Sequence, residues 1–317
     1  MVLVFSFGTV WWEKLVLLCD AHTHFFSRAF FELLAKQAVG ANGGDVESRL
    51  DAVREKAGIE IPDTSPSDHA KRWLTEFDRN GVDQAVTFAS VPGEAASVLE
   101  AASISSGRLI PYLMCDASSA AGIDSAVNGL CEGFRGVLLF PAVHGDPSDP
   151  ALDGLYEEAA AKKAPVVVHC GVLQIRLRDL LGVRPRYDLR AATPVAVSTV
   201  AERHRQTTFV IPHFGGGFFR ETLLAGAQSS NVFVDTSSSN SWIATQPGSL
   251  NLTEVYRQTL AVFGAQRVLF GTDSSTFPRG WRHDLFSAQE TAVEALELDP
   301  ADKNCIFGEN LQRLLGG

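Results

Sequence analysis

The chain has no Cys-x-x-Cys pair, no nucleotide-binding glycine loop of the Walker or Rossmann type, and no uncharged run long enough to cross a bilayer. Its five cysteines, at positions 19, 115, 131, 170 and 305, are dispersed and odd in number. That pattern argues against a secreted disulfide frame and fits free thiols in a reducing cytoplasm. Basic residues are short as well: 27 Lys and Arg face 37 Asp and Glu, a net charge of −10. Such a surface repels nucleic acid and anionic membrane, so neither is an expected partner. A pocket within it can still be locally basic. No repeat, low-complexity tract or long polar linker divides the 317 residues, and one domain over 1–317 is expected. The apolar stretch 1–12 lacks a basic leading segment and a small-residue cleavage site. It reads as an added strand or flap, with a signal peptide as the alternative.

What the chain does have is an alternation. Eight short apolar or β-branched runs occur, at 15–18, 84–88, 109–113, 136–140, 165–169, 208–211, 231–235 and 267–271. They are continuous rather than alternating in polarity, as parallel strands covered on both faces should be. Helix-like segments fall between them. One over 68–80 carries Trp73, Leu74 and Phe77 and stops at Gly81; others span 149–163, 194–204 and 253–263. Strand and helix repeated eight times predicts a (β/α)8 barrel. An open doubly wound sheet competes, but it would carry a nucleotide loop after its first strand. The polar segment 39–66, with Gly, Asp and Pro, reads as an insertion after the first strand that can serve as a lid.

Polar residues then cluster at the strand ends, where a barrel of this kind carries its active site. Asp20-Ala21-His22-Thr23-His24 closes the first run. Two histidines separated by one residue on a strand point to the same side and can converge on one metal ion. His169 ends the fifth run, His213 follows the sixth, and Asp273 follows the eighth. One such residue is a weak signal. Five in corresponding places are a strong one, since a packed barrel interior has no other use for them.

This set resembles the amidohydrolase superfamily, from Asp20-Ala21-His22-Thr23-His24 to the closing Ile306-Phe307-Gly308-Glu309-Asn310-Leu311. It is most similar to the branch that includes aminocarboxymuconate-semialdehyde decarboxylase. The resemblance implies a distorted (β/α)8 barrel with a divalent metal at its rim. It makes His22, His24, His169 and Asp273 the metal ligands, with Asp273 also handling the proton of the attacking water. His213 would be the acid–base group or the group that polarises the substrate. Two-metal members often use a carboxylated lysine after the fourth strand; here that stretch reads Gly136-Val137-Leu138-Leu139-Phe140-Pro141, without one. One ion is therefore expected, zinc first and manganese or another divalent ion second.

Arg176, Arg178, Arg184, Arg186 and Arg190 follow the fifth run. Guanidinium forks match carboxylates, so the cluster hints at an anionic substrate, with Arg176 and Arg178 nearest His169. The bland alternative is a solvated loop, paired with Asp179 and Asp188. Trp242 and its neighbours at 236–241, and Ser274 beside Asp273, are candidates for pocket lining; capping a helix is the alternative for the former. Gly215-Gly216-Gly217 can present backbone N–H groups to an anion or simply make a tight turn. His69 and His204 read as packing or surface residues, and His144 is a weaker candidate for the rim.

The leading expectation is a metal-dependent hydrolase of a small, carboxylate-bearing amide, ester or lactone that uses metal-activated water. A non-oxidative decarboxylase with the same metal shell is the close alternative. A binding protein that kept the barrel and lost the chemistry is the third. Apolar helix faces near the C-terminus suit either a homo-oligomer or the covering of the barrel.

Overall fold

A computed structural model of the chain describes residues 17–237 and 241–316. The expectation for 1–12, and part of those for 15–18 and 236–241, fall outside that range. Eight parallel strands follow one another in sequence order: β1 (Cys19–His24), β2 (Gln84–Ala89), β3 (Leu109–Met114), β4 (Val137–Leu139), β5 (Val166–Val168), β6 (Phe209–Ile211), β7 (Val232–Asp235) and β8 (Val268–Leu269). Three backbone hydrogen bonds of 2.8 Å join the last strand's exit to the first: Ala21 N to Phe270 O, Asp273 N to His22 O, and His24 N to Ser274 O. With helices between the strands, this is a (β/α)8 barrel.

The runs in the sequence lie on their strands to within one or two residues, apart from the first. β1 begins at Cys19, beyond the leucines expected to form it, and runs through both histidines. The helices at Pro66–Asn80, Pro194–Arg203 and Leu252–Phe263 stand where the patterns placed them. The first closes on Gly81 at φ 68, a left-handed cap open to glycine at no steric cost.

Alternation sorts the strand residues into two cores. Ala21, Val86, Phe88, Ile110, Tyr112, Leu138, Val167, Val210, Phe233 and Leu269 fill the barrel interior. Their neighbours, such as Val137, Val166, Val168, Ile211, Val234 and Val268, face the helices. A parallel sheet buried on both faces needs apolar residues at every position, hence the unbroken runs.

The segment 39–66 is not a bare loop. It holds the end of helix Arg28–Asn42 and all of helix Val46–Ala57, whose Leu50 and Val53 pack on Phe30, Phe31, Leu34, Leu177 and Leu181. Asp45 caps that helix by accepting from Ser48 N.

Glu94, fully buried after β2, ties this side of the rim together. It accepts from Ser27 N after β1 (2.5 Å) and from Ser90 N (2.8 Å). Burial pushes its carboxyl up to about 7, against an ordinary 4.5, although both hydrogen bonds pull the other way. The folded chain thus holds a proton that the unfolded chain has released. This group's stabilisation is complete below about pH 4.5 and is lost as pH rises through about 7. Thermal melts across that window should show stability falling more steeply in the native chain than in Glu94→Gln, by up to about 3 kcal/mol. Parallel profiles would contradict this.

Candidate metal centre

β1 aims both histidines inward through an irregularity. Cys19 and Asp20 pair with Gln84 and Ala85, yet Thr23 and His24 pair with Thr87 and Phe88, so β1 carries one extra residue between Asp20 and Thr23. Plain alternation from Ala21 would turn Thr23, not the histidines, into the barrel. The bulge shifts the phase, re-aiming His22 and His24. Asp20 fixes the bulge by accepting from His22 N (2.9 Å), Thr272 N (3.1 Å), Thr272 Oγ1 (2.5 Å) and Trp281 Nε1 (2.8 Å). Gly271 leaves the room needed: a Cβ there would stand 3.1 Å from His22 Cβ.

His22 Nε2 and His24 Nε2 lie 3.8 and 3.1 Å from Asp273 Oδ1. The ligand-type atoms of these three residues all fall within 4.8 Å of one another. Asp273 reaches this position from a left-handed backbone, φ 58, as does His213, also φ 58. Such conformations cost on the order of 1–2 kcal/mol each outside glycine and cluster at functional sites. Burial alone would raise the Asp273 carboxyl. The hydrogen bond from His24 and the charges of His24, His22 and His213 outweigh it and hold the group well below the usual carboxylate range.

Each imidazole has its other nitrogen engaged. His22 Nδ1 donates to Asp235 Oδ2 (2.8 Å), and His24 Nδ1 pairs with Ser90 Oγ (2.6 Å). The Asp235 carboxyl is held low, because the charge and hydrogen bond of His22 overcome its burial. Burial lowers the His22 pKa, but the charge and hydrogen bond of Asp235 outweigh burial and raise it. The ionised carboxylate only accepts, so Nδ1 of His22 carries a proton and Nε2 is the nitrogen a cation would take. His22, His213 and Asp235 also form a group of metal-ligand type. In that group, however, the Asp235 oxygens are already taken by His22 Nδ1, His213 N, Ser237 N and Ser237 Oγ. It supports the nest rather than forming a second one.

His169 stands outside the tight group, and this qualifies the expectation of four ligands. Its ring centroid is 5.1 Å from that of His213, which is 4.8 Å from that of His22. Among the described residues, its buried Nδ1 has no hydrogen-bond partner. Burial, reinforced by the His213 and His22 charges, pushes it well below its ordinary pKa. A neutral imidazole with an unpartnered buried nitrogen suits a cation, so the residues present fit a divalent metal held by His22, His24, Asp273 and His169. His213 Nδ1 donates to Ser237 O (2.9 Å), leaving Nε2 basic, and burial lowers its pKa.

The remaining expectations divide. Arg178 is half-buried on the rim, whereas Arg176 is exposed. Arg184 and Arg190 pair with Asp179 (3.6 Å) and Asp188 (2.7 Å), the bland alternative for that pair. Trp242 does not line the pocket: it is fully buried on the helix side, packed against Phe214 and Phe219. Ser274 is also fully buried, and its Oγ meets Thr272 Oγ1 (2.6 Å) and accepts from Arg282 N (2.9 Å). It is a structural tie, not a substrate contact. The glycine triplet is a docking turn, since a Cβ on Gly171 would strike Gly216 O at 2.1 Å. Asp235 was missed. Its signal was available: Phe233 faces the interior, and the residue two further on must do the same.

The barrel carries its histidine–carboxylate nest at the C-terminal ends of its strands, where enzymes of this fold carry their active sites. The amidohydrolase family model matches residues 19–317, so the chain belongs to the amidohydrolase family. No curated protein matches it. Several solved structures share the fold. An uncharacterised TIM-barrel protein from Bordetella bronchiseptica aligns at TM-score 0.63 and 18% identity, covering 95% of this chain and 99% of that one. A 5-carboxyvanillate decarboxylase from Sphingomonas paucimobilis gives 0.61 and 13%, with the same coverage. A probable 2-pyrone-4,6-dicarboxylic acid hydrolase from Acinetobacter baumannii, with citric acid bound, gives 0.57 and 13%, again over 95% and 99%.

Asp235→Asn should leave the barrel folded but free His22 to take the wrong tautomer. Zinc affinity, measured by competition with a chelator, is expected to fall about 10- to 100-fold. Unchanged affinity would show that Asp235 does not set the nest.

Proposed function

We propose that the chain is a metal-dependent hydrolase of a small, anionic amide, ester or lactone. The observation that carries the reading is the convergence of His22 Nε2, His24 Nε2 and Asp273 Oδ1 within 4.8 Å, with the unpartnered Nδ1 of His169 nearby. Three nitrogens and one carboxylate suit a single zinc ion. When bound, such an ion supplies Lewis acidity and lowers the pKa of water towards 7. Asp273, ionised beside the histidines, accepts the proton of the attacking water and passes it to the leaving group. His213, with Nδ1 committed to Ser237 O, keeps a basic Nε2 that accepts a proton at the substrate as the acid–base group. The segment 39–66 covers the rim as a helical lid. The five cysteines are free, which favours a cytoplasmic protein, and among the described residues no helix is long and apolar enough to cross a membrane.

A second reading, a non-oxidative carboxy-lyase, uses the same residues. Aromatic walls favour it: Phe88 stands 4.8 Å from His22, Phe26 5.0 Å from His24, and Phe140 5.6 Å from His169, ring centroid to ring centroid. An apolar cavity promotes loss of CO2 by stripping water from a carboxylate.

A panel of cyclic acids and lactones, assayed in 18O-labelled water with CO2 detection, separates the two. Label in the product supports the hydrolase; CO2 without label supports the lyase. On any substrate found, Asp273→Asn and His213→Asn should each reduce turnover by about 10²- to 10⁴-fold while the melting temperature holds. Unchanged turnover in both variants would remove the catalytic assignment.

A further inference from the structure

We propose that Arg178, Tyr187 and His144 form a carboxylate-binding subsite beside the metal nest, on its β4–β5 side. The proposal rests on the enzyme reading above and names what makes the substrate anionic and where that group sits.

Three polar groups on this flank lack the partners their burial calls for. Arg178, in helix Arg176–Leu181, is half-buried; its Nη1 donates to Gln37 Oε1 (3.2 Å), and among the described residues no carboxylate pairs with it. Among the described residues the buried Tyr187 hydroxyl has no hydrogen-bond partner, nor has His144 Nδ1, although the His144 ring also bonds the Cys115 backbone. Tyr187 packs in one cluster with Val143, the neighbour of His144, and with Ile175, whose carbonyl accepts from Arg178 N, and both residues also feel the Arg178 charge. Buried polar atoms are normally satisfied, so orphans gathered round a guanidinium mark a place where a ligand supplies the missing bonds.

The nearby acids are engaged elsewhere. Asp179 is paired with Arg184 (3.6 Å) and Asp188 with Arg190 (2.7 Å). Asp116, whose charge reaches His144, accepts from Ser118 N (3.1 Å) and Ser118 Oγ (2.5 Å). Arg178 is left to meet an anion from outside the chain.

Phe140 links this space to the nest. Its ring lies 5.6 Å from that of His169, and it packs in one apolar cluster with Val143, Ile175 and Tyr187. A planar ligand lying along Phe140 would present one end to the metal residues and the other to Arg178. One fork and one hydroxyl, set against the apolar Ala142, Leu173 and Ala192, match a planar monoanion. A phosphate dianion would call for more positive charge. The substrate therefore carries a carboxylate besides its reacting group.

Calorimetry with benzoate and its neutral counterpart benzamide tests this, on zinc-loaded protein and on protein stripped by a chelator. Benzoate is expected to bind at least about tenfold more tightly than benzamide in both forms. Arg178→Met should abolish that preference and Arg178→Lys retain part of it, while Tyr187→Phe should reduce it severalfold. Benzamide binding and thermal melts check that the variants are folded. A preference that disappears with the metal would place the carboxylate on the ion and overturn the subsite. So would a preference that survives Arg178→Met, or no benzoate binding at all. Because the stripped protein is read separately, absence of a metal centre would leave this result intact.

Discussion

The proton on His22 Nδ1 is the small fact on which the site turns. Asp235, buried at the end of β7, takes that hydrogen bond at 2.8 Å and stays ionised in doing so. Nε2 then faces the interior, 3.8 Å from Asp273 Oδ1. The same carboxylate accepts from the backbone of His213 and from Ser237, whose own carbonyl fixes the His213 tautomer. One buried acid thus orients two imidazoles, one on β1 and one in the turn after β6. A metal ligand held this way enters the coordination sphere pre-oriented, without an entropic cost at the moment of binding.

Holding that arrangement asks the backbone for several departures from regular geometry. β1 carries an extra residue, His213 and Asp273 adopt left-handed conformations, and Gly171 touches the Gly216 carbonyl region so closely that no side chain fits. Each lies at the C-terminal rim, within a few residues of a proposed ligand. The rest of the barrel is regular and apolar, and its packing holds these strained positions in place.

Much of this was legible in the sequence, for identifiable reasons. Unbroken apolar runs report strands buried on both faces, so seven strands stood where the runs placed them. The first was misplaced because its leucines are more apolar than Cys19-Asp20-Ala21-His22-Thr23-His24, which forms the strand through backbone pairing. His22, His24 and Asp273 were readable from their position after apolar runs. The bulge that re-aims the histidines was not, because spacing by two looks the same on either face. Asp235 was hidden as the last residue of a strand, though alternation from Phe233 points it inward. The arginine cluster could not be divided by sequence, since the division depends on whether Asp179 and Asp188 reach back to their neighbours. Trp242 misled because a large aromatic after a strand end can turn to the pocket or to the helix layer, and here Phe214 and Phe219 supply the better packing.

The central claim is that side chains from three separate strand ends share one ion. Anomalous diffraction at the zinc edge, from crystals grown with zinc, tests it most directly. The account predicts a single strong peak bounded by His22 Nε2, His24 Nε2, Asp273 Oδ1 and His169 Nδ1. No peak there, or a peak lying against Asp235 instead, would contradict it.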